Sequence, residues 1–428
     1  MEVVKEYMEE LYASGLYPNQ YICHYKQGNL VDIEEEATGV RQRVLTFCTN
    51  DVLGLVQSEA VKQAAIDAII QYGTSNSSCP TLSGRIDLHR QLEQEISAFK
   101  HLPHTHLFVN AWMAMQALMD GFCHLAAPVP GFRNTRETLI LTDVLNHGCI
   151  VTAVSNAGNR SGKVFSHGAD VRVKPYRHCD VTDLARKLQR YGRPDDRIIV
   201  VSDAVFSMDG DIAPLPAMLD VLENYPGSVI LMDEAHASGA IGATGRGIYE
   251  HFGITPQEVL ERGMIPLIMT TFSKFAASAG AAISSHSREL IDLLDVCPTS
   301  IGTISLPAPT TAAALESMRI VRQNPQLVER LQANTRYLRS RLIEYDFVAI
   351  GETNVIPVIL PPELNPKLFA RHLMEKYGVW VSPIWFIAKP RLRITANALH
   401  TKEEIDDLVA GMVATRDALY QPKNLVSA

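Results

Sequence analysis

The sequence predicts an α/β protein, with a large domain built on a mostly parallel sheet and a smaller α+β domain after it. Short apolar runs alternate with helical patterns up to about residue 285, as in LFVN, TLILTD, RIIVVSD, SVILMD and LIMTT. Such alternation is typical of a parallel sheet with helices on both faces. After Leu306-Pro307, two long helical stretches precede the short strands VIPVIL, VWVSPI and LRITA and a last helix from Thr401. At 428 residues the chain is also too long for one ordinary hydrophobic core.

The N-terminal stretch MEVVKEYMEELYASG predicts an amphipathic helix, with apolar side chains on one face and glutamates on the other. This pattern fits neither a signal peptide nor a membrane span, and no later apolar run approaches the ~20 residues that cross a bilayer. We therefore expect three regions: residues 1–49 as an N-terminal helix and extended segment, residues 50–300 as the large domain, and residues 301–428 as the small domain.

Composition and charge disfavour two classes of protein. Apolar residues make up 46% of the chain and charged residues 20%, a balance typical of a globular protein rather than a disordered one. The formal net charge of −8 disfavours binding to a nucleic-acid backbone, which usually requires a basic face. The seven cysteines are scattered singly, without a C-x-x-C pair, so we expect a reducing, cytoplasmic environment.

Lys274 is a candidate for chemistry because of the stretch that carries it, Leu267 to Phe275, LIMTTFSKF. An apolar strand stops here at hydroxyl side chains, which together with backbone N–H groups could hold an anion, and burial would make the lysine amine nucleophilic. An enzyme would present a lysine that forms a Schiff base beside a phosphate in this way. Taken alone, the stretch also fits a surface lysine after a β-strand.

Polar residues follow three more apolar strands. Asp233 ends SVILMD with His236 three residues on, Ser207 follows RIIVVSD, and His147 follows TLILTD. At the carboxyl edge of a parallel sheet, where ligands bind, a buried aspartate would need a cationic partner such as a protonated ring nitrogen. Asp233 could instead cap the next turn, but polar groups at the ends of four strands are hard to explain as unrelated caps.

Two other motifs suggest activities that we do not expect. Residues 233–236 spell the D-E-A-H of a helicase ATPase, but the chain contains no G-x-x-x-x-G-K-[ST] loop to hold the phosphates. His101, His104 and His106 could suggest zinc, although clustered histidines in a loop that enters a strand are more often solvated. We therefore expect no metal site.

Several separated motifs, in this order along the chain, resemble those of the α-oxoamine synthases: NDVLGL, DLHRQLE, DVLNHG, VFSMDGDIAPLP, DEAHASGAIGATGRG, TTFSK, SLPAP and RLRIT. These fold-type I enzymes depend on pyridoxal 5'-phosphate (PLP) and join an amino acid to an acyl thioester with loss of CO2. The resemblance covers nearly the whole chain from about Thr49 and is closest to the serine palmitoyltransferase and 8-amino-7-oxononanoate synthase branches. It implies a fold-type I transferase fold, PLP as cofactor, and a homodimer with shared active sites.

The resemblance also implies a role for each candidate residue. Lys274 would bind PLP as a Schiff base and then act as the base, Asp233 would pair with the pyridine nitrogen, and His147 would stack on the ring. His236 and Ser207 would bind the ring hydroxyl, and Asn50 and Arg393 would bind the carboxylate of the amino acid. The phosphate would be bound by Thr271, Ser273, the backbone of Ala111-Trp112-Met113 and, from a second subunit, Thr303. Arg393 could instead be a strand-end charge that faces solvent.

Departures from the family pattern bear on the substrates. The lysine, the aspartate and the histidines are unchanged, whereas unusual residues stand at Val52, Pro80-Thr81, Ala111-Trp112 and Ile304. Cys79-Pro80-Thr81 lacks the polar groups that contact a succinyl carboxylate in one branch of the family, and leaving a charged acyl tail unpaired in a buried channel would be costly. Residues 271–278 are also more similar to the serine-using branch than to the glycine-using ones.

We therefore expect a small amino acid, serine or alanine ahead of glycine, and a medium or long hydrophobic acyl thioester delivered by CoA or by an acyl carrier protein. Two other functions stay open. One is another fold-type I reaction, such as transamination or aldol cleavage. The other is a non-catalytic role as the partner of a heteromeric synthase, in which case the lysine would normally be lost.

Overall fold

The computed structural model describes residues 1–13, 21–124, 136–160, 170–385 and 388–420. These residues form two compact units. The large unit is Asn50–Gln332, and the small unit consists of the described residues of Met1–Thr49 and Ala333–Ala428. We expected residues 301–332 in the small domain. They belong to the large unit, because Ala308 and Ala312 pack against Ala68 in one buried cluster.

The strands of the described residues are β1 (Tyr21–Gln27), β2 (Leu30–Glu35), β3 (Arg41–Thr46), β4 (His104–Phe108), β5 (Thr138–Asp143), β6 (Val171–Tyr176), β7 (Arg197–Asp203), β8 (Val229–Asp233), β9 (Ile265–Thr271), β10 (Ala281–Ser285), β11 (Val348–Ala349), β12 (Val355–Ile359), β13 (Val379–Trp380), β14 (Ser382–Ile384) and β15 (Arg391–Thr395).

The helices are α1 (Glu2–Ala13), α2 (Glu59–Tyr72), α3 (Asp87–Lys100), α4 (Ala111–His124), α5 (Gly148–Arg160), α6 (Val181–Tyr191), α7 (Leu215–Leu222), α8 (Ile248–His251), α9 (Pro256–Glu261), α10 (Arg288–Asp295), α11 (Pro298–Ile301), α12 (Ala308–Gln323), α13 (Gln326–Glu344), α14 (Pro366–Tyr377) and α15 (Lys402–Leu419). Pro80–Gly84 forms a π-helical turn. None of the helices in the described ranges combines the length and the apolarity that crossing a bilayer requires.

The large unit contains a seven-stranded sheet in the order β4-β10-β9-β8-β7-β5-β6. The strands β6, β5, β7, β8 and β9 pair in parallel, and β10 runs antiparallel to both β9 and β4. The predicted mostly parallel sheet is therefore confirmed. Because β4 is parallel to the central strands, its carboxyl end lies at the same edge of the sheet as theirs.

Helices cover both faces of this sheet, as the sequence predicts. Side chains alternate across a strand, so Ile140 of β5 packs in one core cluster with α4 and α5, whereas Leu139 and Leu141 pack in the other cluster with α6 and α7. Burial on both faces explains why these strands read as continuous apolar runs rather than as alternating patterns.

The small unit contains two four-stranded sheets, β1-β2-β3-β13 and β11-β12-β15-β14. Its core joins strands β12 and β15 to helices α13, α14 and α15, with Phe369 and Leu408 fully buried. A capping box starts α15, in which the Thr401 hydroxyl accepts the Glu404 N–H and the Glu404 carboxylate accepts the Thr401 N–H. The strands and the last helix predicted after residue 350 are therefore present, and α1 is the predicted N-terminal helix.

Candidate active site

Four adjacent parallel strands bring the predicted site residues to one edge of the large sheet. In the order β9-β8-β7-β5, their carboxyl ends lead to Lys274, Asp233, Ser207 and His147. A fifth strand, β4, brings another predicted site residue to this edge, because Ala111 starts α4 just after β4. The carboxyl edge of a parallel sheet is where α/β proteins bind ligands, because the loops there converge.

Asp233 is buried, with 2% of its surface exposed, and it has few donors. The Ala235 N–H donates to its Oδ1 at 2.9 Å, and the Cys149 thiol lies 3.9 Å from its Oδ2. Burial raises the pKa of Asp233 to about 6, although the Ala235 N–H and the charge of Lys274 lower it. A buried carboxylate with so little compensation is suited to a cationic ligand.

Asp203 is a second buried acid beside Asp233, and it was not among the predicted site residues. It ends β7 and pairs directly with Asp233 in the parallel register. Its Oδ2 accepts the His147 N–H at 3.1 Å, and its Oδ1 is buried without a hydrogen-bond partner among the described residues. Burial and the charge of Asp233 raise its pKa well above the ordinary value, although the His147 N–H lowers it.

His147 is held by its backbone and by one ring nitrogen. Nδ1 accepts the Cys149 N–H at 3.3 Å and lies 3.0 Å from the Cys149 thiol. Desolvation and the charge of Lys274 lower the pKa of His147, so the ring is neutral and carries its proton on Nε2. The ring is exposed and meets the Trp112 ring edge to face, at 6.0 Å between centroids. A neutral, exposed imidazole in this position is suited to stacking on a flat ligand.

Asn146, another residue that the sequence did not single out, fixes the loop before His147 to β7. Its amide Nδ2 donates to Thr142 Oγ1 at 2.9 Å and to the Val201 carbonyl at 3.0 Å. Its Oδ1 accepts the Asp203 N–H at 2.8 Å. All polar groups of the Asn146 side chain are thus used to position the loop.

The turn after β9 presents Lys274 between two fully buried aromatic anchors, Phe272 and Phe275. The Phe272 N–H donates to the Gly280 carbonyl at 2.9 Å, which closes the turn. Gly280 has φ +116°, and a Cβ there would lie 2.8 Å from the Phe272 ring, so only glycine fits. Lys274 is half-buried and near enough to Asp233 to lower the pKa of that acid.

The groups predicted to bind a phosphate differ in their burial and in the hydrogen bonds that they already form. Thr271 is buried, and its hydroxyl has no hydrogen-bond partner among the described residues, whereas Ser273 is exposed. The first turn of α4 presents N–H groups that have no intrahelical acceptor. Of these, the Met113 N–H already donates to the Asn110 side chain at 2.8 Å. The Met113 N–H is thus already engaged, whereas the predicted phosphate-binding turn also includes the Ala111 and Trp112 N–H groups.

The turn that carries His236 is built on Glu234, which is fully buried. Its carboxylate forms an ion pair with Lys100 and accepts the Ile248 N–H at 3.0 Å. Gly247 has φ +104°, and a Cβ there would lie 2.1 Å from the Glu234 carboxylate, which accounts for the last glycine of the motif DEAHASGAIGATGRG. His236 itself is half-buried.

Ser207 lies half-buried on a turn closed by two backbone hydrogen bonds. The Phe206 N–H donates to the Asp211 carbonyl at 3.0 Å, and the Gly210 N–H donates to the Phe206 carbonyl at 2.8 Å. Thr303, which follows α11 in the large unit, is also half-buried.

The two residues predicted to bind the carboxylate of the amino acid, Asn50 and Arg393, belong to different units. Asn50 begins the large unit beside Asp51, whose carboxylate caps the following turn by accepting the Leu55 N–H at 2.9 Å. Arg393 lies in β15 of the small unit with 7% of its surface exposed. Burial lowers the pKa of its guanidinium to about 10. Arg393 is therefore not a solvent-facing charge, which was the alternative that the sequence left open.

The histidines considered as zinc ligands have other environments. We expected them to be solvated, but His106 is buried in β4, with Nδ1 3.3 Å from Asp295 Oδ1. His101 ends α3 in the left-handed conformation, φ 55°.

The residues at this edge fit PLP. The buried Asp233 carboxylate matches a pyridinium N–H, the buried Thr271 hydroxyl and the α4 N-terminus match a phosphate, and the Lys274 amine lies close to Asp233.

Comparisons with known proteins define the class. The family described as Aminotransferase class I and II matches residues 42–412, and the chain belongs to this PLP-dependent family. Relatives include 8-amino-7-oxononanoate synthases of Petrotoga mobilis, 32% identical over 95% of each chain, and of Symbiobacterium thermophilum, 33% identical over 86% of this chain and 87% of the relative. Serine palmitoyltransferase of Sphingomonas wittichii shares the fold, with a TM-score of 0.82 and 22% identity over 98% of this chain and 97% of that chain.

Within the family, the chain is an α-oxoamine synthase, that is, a PLP-dependent acyltransferase that joins an amino acid to an acyl thioester with loss of CO2. The predicted fold-type I architecture, the enzyme class and the cofactor are thus confirmed.

Proposed function

We propose that this enzyme condenses a small amino acid, serine or alanine in preference to glycine, with a hydrophobic acyl thioester. The products are an α-amino ketone, CO2 and a free thiol. The observation that carries the acyl preference is the loop of residues 76–84, which contains no charged side chain.

The contacts within this loop also support a preference for an apolar acyl chain. Cys79 is buried with its thiol 3.4 Å from the Thr81 hydroxyl, so that these polar groups are used within the loop. Leu82 has 81% of its surface exposed. Arg85, the first residue after this loop, donates to the Glu93 carboxylate at 2.5 Å and is therefore already paired. A charged acyl tail would therefore find no unpaired counterion in this segment.

When bound, PLP supplies an electron sink for the negative charge that develops on the α-carbon of the amino acid. Lys274 would hold the cofactor through its amine and, as a free amine, would be the base that takes the proton from the α-carbon. Asp233 keeps a proton on the pyridine nitrogen, since a buried carboxylate and a buried cation stabilise each other strongly where water is excluded.

The other site residues bind and orient the cofactor and the amino-acid substrate. We assign His147 to one face of the ring and His236 with Ser207 to the ring hydroxyl. The phosphate is held by Thr271, Ser273 and the N-terminus of α4, with Thr303 of a second subunit. The buried guanidinium of Arg393 supports its assignment to the substrate carboxylate, and Asn50 shares that role.

A second candidate is the reaction for which the relatives are named. In 8-amino-7-oxononanoate the amine and the ketone lie on adjacent carbons, as in any α-amino ketone, and the far end of the chain is a carboxylate. This candidate is favoured by the 32% identity over 95% of each chain. It differs from the first in the charge at the end of the acyl chain.

One experiment separates the two candidates. Purified enzyme with bound PLP is supplied with serine, alanine or glycine and with CoA thioesters of equal length that end in a methyl group or in a carboxylate, and CO2 and thiol release are followed. We expect the methyl-ended thioesters with serine or alanine to turn over fastest. Preference for a carboxylate-ended chain with alanine selects the second candidate, and preference for succinyl-CoA with glycine contradicts both.

The cofactor assignment has its own test. The purified protein is expected to show the visible absorption band of lysine-bound PLP, which borohydride bleaches and Lys274→Ala abolishes. A folded wild-type protein that binds no PLP would contradict the proposal.

We further propose a cytoplasmic homodimer in which the Thr303 region completes the partner's site. Two observations support it. Ile301 and Ile304, on either side of Thr303, have 49% and 46% of their surface exposed in the single chain, and the seven cysteines are free thiols. Light scattering on active enzyme tests the dimer, and an active monomer would contradict it.

A further inference from the structure

His178, which follows β6, lies between the carboxylate of Asp143 at the end of β5 and the carboxylate of Asp211 in the turn after β7. Its Nδ1 is 3.1 Å from Asp143 Oδ1, and its Nε2 is 3.1 Å from Asp211 Oδ2. A neutral imidazole carries only one N–H, so hydrogen bonds from both nitrogens to carboxylates require the doubly protonated imidazolium. His178 is thus a cation that joins two anions.

The first carboxylate, that of Asp143, forms hydrogen bonds with the start of the loop that leads to His147. Asp143 ends β5 and is buried, and its Oδ1 also accepts the Leu145 N–H at 2.9 Å. Its Oδ2 accepts the Cys179 N–H at 2.8 Å. Through these bonds Asp143 ties the start of the His147 loop to the segment that carries His178.

The second carboxylate belongs to the turn that carries Ser207. Asp211 closes this turn through its carbonyl, which accepts the Phe206 N–H at 3.0 Å. The ring of His178 also meets the Phe206 ring edge to face, at 4.4 Å between centroids and 87° between planes. His178 therefore contacts the turn on both sides of Ser207.

The backbone beside His178 is unusual. Cys179 has φ 50°, in the left-handed region that non-glycine residues seldom adopt. In this conformation the Cys179 N–H donates to Asp143 Oδ2 at 2.8 Å, directly beside the residue that contacts both carboxylates. The segment thus keeps an uncommon conformation at the point where His178 makes its bonds.

The surroundings keep the imidazole charged. The titratable groups that face it are Asp143 from β5, Asp211 from the turn after β7, and Cys179 from its own segment. Desolvation lowers the pKa of His178, but the hydrogen bonds to these groups outweigh it and raise the pKa to about 11. Because the folded-state pKa lies above the ordinary value of 6.5, the imidazolium stabilises the fold most fully below that pH, and this contribution is lost as the pH rises toward about 11.

We propose that His178 is a positioning residue, whose imidazolium joins the His147 loop to the Ser207 turn and so fixes the gap between the side chains that contact the ring of the cofactor. The proposal rests on the proposed function, since it takes His147 and Ser207 as ring contacts. It predicts that loss of the bridge loosens the hold on the cofactor without unfolding the protein.

The test compares His178→Gln with the wild type and with a control, His251→Gln, which alters an exposed histidine of α8. Three quantities are measured: the dissociation constant of PLP, the visible circular dichroism of bound PLP, which reports how asymmetrically the ring is held, and the melting temperature of the PLP-free protein. Glutamine cannot donate to two carboxylates on opposite sides. We expect PLP binding about tenfold weaker or more, a reduced circular dichroism band, and a larger loss in kcat than change in KM.

The control is expected to match the wild type in all these quantities. Unchanged PLP affinity and circular dichroism in His178→Gln would overturn the positioning role while leaving the proposed function intact. A wild type that binds no PLP would overturn both, which keeps the two failures distinguishable.

Asp211→Asn tests the proposal independently of whether His178→Gln folds. This change keeps the shape of a half-exposed side chain but removes one anion beside His178, so the pKa of the imidazole falls. We expect the circular dichroism band and the PLP affinity to decline at a lower pH than in the wild type when the pH is raised from 7 to 10. Superimposable pH profiles would overturn the proposal.

Discussion

Asp233 and Glu234 are neighbouring acids at the end of one strand, and they have opposite environments. Both are buried, at 2% and 0% exposure. Glu234 forms an ion pair with Lys100 and accepts the Ile248 N–H at 3.0 Å. Asp233 accepts the Ala235 N–H at 2.9 Å, and the Cys149 thiol lies 3.9 Å from its other oxygen.

We interpret the difference as one between an acid that stabilises the fold and an acid that, under the proposed function, binds the cofactor. The protein itself supplies the counterion of Glu234, so its charge is compensated in the folded chain. For Asp233, burial raises the pKa to about 6, and the nearby charge of Lys274 offsets this effect only in part. A buried carboxylate with so little compensation is costly unless a ligand brings a positive charge, and we propose that the pyridinium of PLP does so.

The largest expected effect is that of Asp233→Asn on turnover. This change keeps the shape of the side chain and removes the charge that we propose keeps the pyridine nitrogen protonated. Breaking a buried charge pair costs about 3–5 kcal/mol, so we expect kcat/KM to fall by about 100- to 1000-fold or more while PLP is still bound. Steady-state kinetics and the absorption spectrum of the variant measure both. Undiminished activity would remove the electron-sink role from Asp233.

The next effect is structural and concerns the other acid. Lys100→Met removes the cation of a fully buried pair and leaves the Glu234 charge uncompensated, so the free energy of unfolding should fall by about 3–5 kcal/mol. Urea denaturation measures this loss. A double variant that also carries Glu234→Gln should recover a large part of it, because no unpaired charge remains. A double variant less stable than Lys100→Met would contradict the account of Glu234.

The pH dependence of the PLP-free protein sharpens the comparison further. Because Asp233 has a raised folded-state pKa, the folded chain binds its proton more tightly than the unfolded chain does, and stability falls as the pH rises from about 4 to about 6. Asp233→Asn removes this loss, so its stability relative to the wild type should improve by about 3 kcal/mol over that range. Unfolding curves at several pH values test it, and parallel curves for the two proteins would count against the raised pKa.

The smallest effect is expected from Cys149→Ser. The thiol lies 3.9 Å from the Asp233 oxygen, which is too far for a strong bond, and burial raises its pKa so that it carries no charge. We expect kcat/KM to change by less than about threefold, within about 0.7 kcal/mol. A tenfold loss would show that the thiol is a functional partner of Asp233.

The part of the site that could be predicted from the sequence is the part that follows from strand pattern. Alternating strands and helices imply a parallel sheet, whose carboxyl ends share an edge, so Lys274, Asp233, Ser207 and His147 were expected to meet there. The structure brings the loops that carry them to that edge. The sequence also placed Arg393 within a predicted short strand, and the side chain is buried there.

What could not be predicted depends on contacts between segments distant in the chain. Asp203 ends RIIVVSD as Asp233 ends SVILMD, but only the strand register shows that the two acids are neighbours. His178 contacts the carboxylates of Asp143 and Asp211, and no residue spacing in the sequence predicts these two contacts. The boundary between the units was misplaced because helical periodicity does not reveal that α12 packs on α2.

The central claim, that Asp233 obtains its counterion from the cofactor, is tested most directly by the ¹⁵N chemical shift of the ring nitrogen in labelled PLP bound to the enzyme. The account predicts a protonated nitrogen in the wild type from pH 6 to pH 9 and an unprotonated one in Asp233→Asn at the same pH values. An unprotonated nitrogen in the wild type at neutral pH would contradict it.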